Sequence, residues 1–217
     1  MGLIKKIKTL ALGTVFAAFM AGNAHAKEPK PSGKVAGYYD TRGKPTATLT
    51  LGASDLPLGT KFFSFMDFAT EKDNLDHLTT PYGEFRLLKK ADFGLGVVAE
   101  YNRDFSQDEG TTRAGFVFEP NLKQLLPNAF LGLKFYPAST HDHGIQLGVS
   151  GNVNFLDGDL TLDSFLDYNF KPGKVVTDLQ IGYRLKDNLY AVIEGRYNGF
   201  LPKDQQLSAG PGLEWKF

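Results

Sequence analysis

The chain has no cysteine in its 217 residues, which excludes a disulfide scaffold, a cysteine nucleophile, thiolate metal sites and an acylated cysteine anchor. It has no excess of either charge. With 24 basic and 24 acidic residues it encodes neither a polybasic nucleic-acid surface nor an acidic disordered tail. It has almost no helical periodicity, and beyond residue 26 no apolar run long enough for a spanning helix. It has no glycine-rich phosphate loop or nucleotide fingerprint, because the pairs Gly94/Gly96 and Gly210/Gly212 fall inside extended segments. What it does have is 24 glycines, 18 phenylalanines and 9 tyrosines, a composition that leans to strands.

The first 26 residues read separately from the rest. Lys5, Lys6 and Lys8 precede the apolar run from Thr9 to Gly22, and Ala24-His25-Ala26 follows. Basic, apolar and Ala-x-Ala segments in that order predict a secretory signal peptide cleaved after Ala26. About 14 apolar residues are too few to cross a hydrocarbon core of roughly 30 Å. The expected organisation is a signal peptide over 1–26, a short lead-in over 27–33 and one domain over 34–217.

That domain alternates with period two in segments separated by turn residues. From 144 to 155, Ile145, Leu147, Val149, Val153 and Phe155 fall on one parity, and Gln146, Ser150, Asn152 and Asn154 on the other. Leu156-Asp157-Gly158-Asp159 then reads as a tight hairpin turn. The same pattern predicts strands over 160–170, 175–185, 189–198 and 207–217. Upstream it predicts 46–53, 62–69, 82–89, 93–104, 111–119 and 129–136, with a weaker segment over 34–40. Twelve strands is the favoured count, and ten is the alternative.

Alternation alone fits a soluble sandwich as well as a membrane barrel. The strand ends separate the two. With strands running up and down, aromatics on the apolar face form two belts around an aliphatic band. Phe62, Phe93, Phe118, Phe155, Tyr183, Trp215 and Phe217 fall at the end holding the termini, and Phe68, Tyr101, Phe135, Tyr168, Phe170 and Tyr197 at the far end. Paired aromatic girdles, mostly short terminus-side turns (120–128 excepted) and longer far-side loops mark a transmembrane antiparallel up-and-down β-barrel.

The last segment carries a more specific signal. Leu207, Ala209, Pro211, Leu213, Trp215 and Phe217 alternate with Ser208, Gly210, Gly212, Glu214 and Lys216, and the sequence ends on the aromatic. This resembles the C-terminal strand of Gram-negative outer-membrane barrels. The resemblance implies an all-β barrel exported through the periplasm, with Trp215 and Phe217 as the signal read by the barrel-assembly machinery. It also implies contact with outer-membrane lipid and lipopolysaccharide, and a porin-like channel as the expected class of function.

Twelve strands give a backbone radius of roughly 12 Å, so inward side chains would leave a narrow passage. The alternation puts Asp67, Glu84, Glu100, Glu119, Asp163, Asp167, Asp178, Glu194 and Glu214 inward, against Arg86, Arg113, Lys134, Arg184, Arg196 and Lys216. Phe63, Phe65, Tyr82, Phe165 and Tyr190 join them. The expectation is a narrow, mixed-charge and slightly acidic lumen passing small hydrophilic solutes, with no cofactor and no nucleic-acid partner. A sealed structural or adhesive barrel, its charges all paired, is the alternative. The mixed lumen departs from the one-sided arginine track of oligogalacturonate-type channels, and no motif selects the nucleoside channels. A lipid-modifying enzyme is the third reading, resting on Ser139, His141, Asp142 and His143 in a predicted far-side loop. Such enzymes need Ser and His on the lipid-facing wall, and the outer-membrane phospholipase order places His before Ser. Two alternating histidines also supply too few ligands for a metal site. Glu71, Asp73, Asp76, Asp108 and Glu109 read as solvated loop charges, with calcium or lipopolysaccharide bridging as the alternative.

Overall fold

A computed structural model describes residues 29–39, 41, 45–69, 82–91, 93–105, 110–140 and 144–217. The signal-peptide segment, the acidic loop residues Glu71, Asp73, Asp76, Asp108 and Glu109, and His141 to His143 lie outside the described residues. Twelve strands follow one another: β1 (Lys30–Tyr39), β2 (Pro45–Leu56), β3 (Thr60–Ala69), β4 (Tyr82–Lys90), β5 (Leu95–Asp104), β6 (Gly110–Phe118), β7 (Ala129–Ser139), β8 (Gln146–Phe155), β9 (Leu160–Asn169), β10 (Lys174–Lys186), β11 (Leu189–Asn198) and β12 (Leu207–Lys216). Each pairs antiparallel with its neighbours in sequence, and β1 pairs with β12 to close the barrel.

Closure lengthens the first strand beyond its expected start. The predicted lead-in is strand from Lys30 onward, because Lys30 to Gly33 pair with Ser54 to Leu51 of β2. Pro31 is tolerated there because the β12 ladder reaches only Lys34, so its missing N–H faces no partner strand. The C-terminal residue completes the seam: Phe217 donates its N–H to Gly33 O and accepts from Gly33 N, both at 2.9 Å. A Cβ at Gly33 would lie 2.5 Å from the Phe217 ring, so a side chain there would displace the ring.

One strand bends. Between Ala114–Ala138 and Phe116–Phe135 the register of β6 and β7 shifts, leaving two residues of β7 opposite Gly115. Pro137 occupies this bulge, where a proline removes no ladder bond. The bulge puts Ala138 on the same face as Phe135 and returns Ser139 to the inner face opposite Arg113.

Burial is inverted relative to a soluble domain. Glu84, Glu100, Lys134, Gln146, Gln180, Glu194 and Glu214 are all buried, whereas Val97, Phe118, Leu147, Leu179, Ile181, Ile193, Leu213 and Trp215 are exposed. An apolar outer surface around a polar interior is stable in hydrocarbon and not in water, and closure leaves no unpaired edge. The expected lower belt is present in Phe93, Phe118, Phe155, Tyr183, Trp215 and Phe217, all exposed. At the far end, Tyr168 packs edge-on against Phe170 at 4.8 Å.

Candidate functional site: the lumen

All fifteen ionisable residues expected inward share the inner face. Parity carries the assignment from strand to strand, as in the rows Glu84–Asn102, Arg86–Glu100–Arg113 and Glu194–Gly210. They gather on two facing walls, the first on β4–β7 and β9, the second on β10–β12 and β1–β3.

Glu100 is the centre of the first wall. It accepts hydrogen bonds from Arg86 Nε (2.8 Å), Arg113 Nη1 (3.0 Å), Asn102 Nδ2 (3.1 Å) and the Tyr136 hydroxyl (2.6 Å). Arg86 also pairs with Glu84. The register explains the cluster, since Arg86, Glu100 and Arg113 are direct cross-strand neighbours on one face. Beside it Lys134 Nζ lies 3.6 Å from Asp167 Oδ1, reaching over β8. Gly148 stands between them in the ladder, and a Cβ there would lie 2.4 Å from Asp167 Oδ1 and 2.8 Å from Lys134 Cε.

Arg196 is the centre of the second wall. Its guanidinium donates to Asp67 Oδ2 at 2.9 Å and forms ion pairs with Asp178, 3.0 Å away, and with Glu194. It donates to Thr48 Oγ1 at 3.4 Å and lies 5.6 Å from the Tyr38 ring centre. A column continues towards the termini: the Tyr38 hydroxyl donates to Gln180 Oε1 (3.2 Å), and Gln180 Nε2 donates to Glu214 (2.8 Å). Glu214, fully buried, sits between Lys34 at 2.8 Å and Lys216 at 3.3 Å.

The terminus-side mouth repeats that last motif. Glu119, just beyond β6, lies between Lys90 at 2.8 Å and Lys61 at 3.0 Å. Burial would raise its carboxyl, but hydrogen bonds from Lys90 and Lys61 hold it below the ordinary carboxylate range. Arg184 pairs with Asp159 at 3.3 Å, and Asn152 Nδ2 donates to Asp163 at 2.7 Å. Asn128, Asn152, Asn154, Arg184, Tyr190 and Lys216 line a polar vestibule of about 650 Å³ at this end.

The five expected aromatics occupy the lumen-facing parity. Phe63, Phe65 and Tyr82 form a ladder with ring centres 6.2 and 5.9 Å apart, at the seam where β3 meets β4. Arg86 caps it, 5.2 Å over the Phe63 ring.

Sequence reading missed several inward groups. Lys34, Lys61 and Lys90 face the lumen, as do Tyr38, Tyr136 and Thr48. With these lysines the inward bases named here number nine beside the nine acids. Parity already carried this signal, since Lys61 shares that of Phe63, Lys34 that of Tyr38, and Tyr136 that of Lys134. The Ser139 expectation is corrected. Ser139 is the last residue of β7, and its Oγ lies 3.5 Å from Gly144 O on the inner face. Among the described residues no group of three His, Asp or Glu side chains is arranged to hold a metal.

A closed twelve-stranded antiparallel barrel, apolar outside and charged within, has the architecture of a transmembrane β-barrel. The chain matches no protein-family model and no curated protein sequence. Its fold is similar to solved outer-membrane barrels. A KdgM porin in complex with disordered oligogalacturonate aligns with a TM-score of 0.56 and 14% identity over 86% of this chain and 99% of that one. A second structure of KdgM porin gives 0.55 and 13%, with the same shares covered. The outer membrane phospholipase A from Escherichia coli gives 0.59 and 11%, over 94% of this chain and 97% of that one. At these identities the likeness is one of fold.

Proposed function

We propose that the chain is an outer-membrane channel through which small hydrophilic solutes diffuse along a narrow, mixed-charge lumen. The observation that carries this is the exposure of Phe63: it points inward by register, part-way along β3, yet is 36% exposed. A sealed lumen would bury it. Most of the charge pairs follow one wall or the other, one set from β4 to β9 and the second from β10 round to β3, and Glu119 joins the two at the terminus-side mouth through Lys61 and Lys90. The thorough pairing around Glu100 favours the sealed alternative, but a wall can be rigid without closing the lumen.

The site residues of the channel are Glu84, Arg86, Glu100, Arg113, Lys134, Asp163, Asp167, Asp178, Arg184, Glu194 and Arg196. The fold's likeness to a phospholipase does not carry over as an activity. Ser139, the nucleophile such an activity would need, faces the lumen and not the lipid.

Single-channel recording tests the reading. Refolded Lys27–Phe217 in a planar bilayer should give discrete current steps, and a folded but silent barrel would overturn it. The same proposal places Trp215 and Phe217 against the assembly machinery and the apolar belt in outer-membrane lipid, with lipopolysaccharide around the far end. Deleting Phe217 removes both bonds to Gly33. It should therefore lower the yield of heat-modifiable barrel, and an unchanged yield would count against that role.

A further inference from the structure

The inward charge is not evenly spread along the barrel axis. At the terminus-side end the repeating unit is one carboxylate between two lysines. Lys61–Glu119–Lys90 sits at the start of β3 and the ends of β4 and β6, and Lys34–Glu214–Lys216 lies towards the same end of β1 and β12. Each carries one net positive charge; Arg184 there is offset by Asp159, and Asp163, bonded to the neutral Asn152 in the same half, leaves this end one net positive. In the far-side half the unit is reversed. Arg196 stands among Asp67, Asp178 and Glu194, leaving two net negative charges. The intervening level is neutral: Glu84 and Glu100 answer Arg86 and Arg113, and Asp167 answers Lys134. Even here Glu84 lies nearer the far end than Arg86.

We propose that the lumen is polarised along its axis, acidic towards the far side and basic towards the terminus side, and that it therefore rectifies current and favours small zwitterionic solutes. This rests on the channel reading. The acidic half concentrates cations and the basic half concentrates anions. A voltage driving cations in from the far side also drives anions in from the terminus side, so the lumen fills with carriers. The opposite voltage drains both. A zwitterion lies along the axis with its cationic group towards Asp67, Asp178 and Glu194 and its carboxylate towards the lysine triads.

The test is current against voltage for the refolded mature chain. In dilute salt the currents at opposite voltages should differ about twofold, larger when cations enter from the far side, and the ratio should approach one in molar salt, where the screening length falls to about 3 Å. Lys61→Gln with Lys90→Gln, and separately Asp67→Asn, should each reduce the ratio, with heat-modifiable migration confirming folded barrels. Discrete but symmetric currents would overturn the polarity and leave the channel standing. A silent barrel would overturn the channel itself, and the polarity is then read by calorimetric titration with tripolyphosphate. Binding weakened by Lys61→Gln with Lys90→Gln and not by Lys134→Gln supports a basic terminus-side end; equal effects overturn it. In liposome swelling, glycine should enter faster than glycerol through the native channel, and this preference should be lost in the double lysine variant. Equal rates for glycine and glycerol in the native channel would overturn the zwitterion assignment.

Discussion

The Glu100 wall and the Arg196 wall keep charge inside a barrel by opposite constructions. In the first, one carboxylate is held by Arg86, Arg113, Asn102 and Tyr136. In the second, one guanidinium is held by three carboxylates and a threonine. The first is redundant, because losing any one donor leaves Glu100 with others. The second has a single hub, and removing it leaves Asp67, Asp178 and Glu194 facing one another. The routes differ as well. Around Glu100 the partners lie on neighbouring hairpins, 2 to 36 residues apart in sequence. Around Arg196 the bonds to Asp67 and Thr48 cross the closure seam and join residues 129 and 148 apart.

The largest expected effects come from the outer face, where the two walls should not differ. Leu133→Arg on β7 and Ile181→Arg on β10, both exposed mid-strand, should each cost about 2–4 kcal/mol of stability in vesicles. A difference between them larger than that range would mean that the lipid face distinguishes the walls. Next comes the hub. Arg196→Met should cost about 2–3 kcal/mol, since like charges are left unpaired, with partial exposure to lumen water limiting the loss. Arg113→Met should cost only about 1 kcal/mol, because Arg86 and Tyr136 still hold Glu100. Equal losses by urea unfolding would erase the contrast between redundant and single-hub walls.

Gly148→Ala sharpens it differently. The added methyl meets Asp167 and Lys134, so the variant should lose about 1 kcal/mol or somewhat more, and combining it with Asp167→Asn should show non-additive coupling. Strictly additive losses would mean the lysine does not reach over β8.

The smallest effect is one of pH. The Glu119 carboxyl is held low in the folded barrel, so its stabilisation is complete above the ordinary carboxylate range and is lost as pH falls through the lowered value. Glu119→Gln should therefore be less stable than the native chain near neutrality, and the two should converge under strong acid. A gap that persists there would point to packing as its cause.

Much of this was legible along the chain. Period two decided which residues face lipid and which face the lumen, and it did so for every charged residue named inward, because a strand allows only two faces. It could also have given Lys34, Lys61 and Lys90, whose parity matches that of inward neighbours. Strand ends were less legible. Lys30–Gly33 looked like a lead-in because glycine and proline discourage a strand, and pairing with β2 overrides that local preference. Ser139 looked like a loop residue because nothing in sequence marks a bulge at Pro137 that carries β7 three residues further.

The sequence by itself determined the barrel, its inner and outer faces and the hairpin pairs around Glu100, since these depend on parity and on strands adjacent in the chain. Tertiary structure decided which residues meet across the closure. The meeting of Arg196 with Asp67, the run from Tyr38 through Gln180 to Glu214, and the pinning of Phe217 over Gly33 depend on barrel diameter and stagger. Those are properties of the closed sheet as a whole, and no single hairpin contains them.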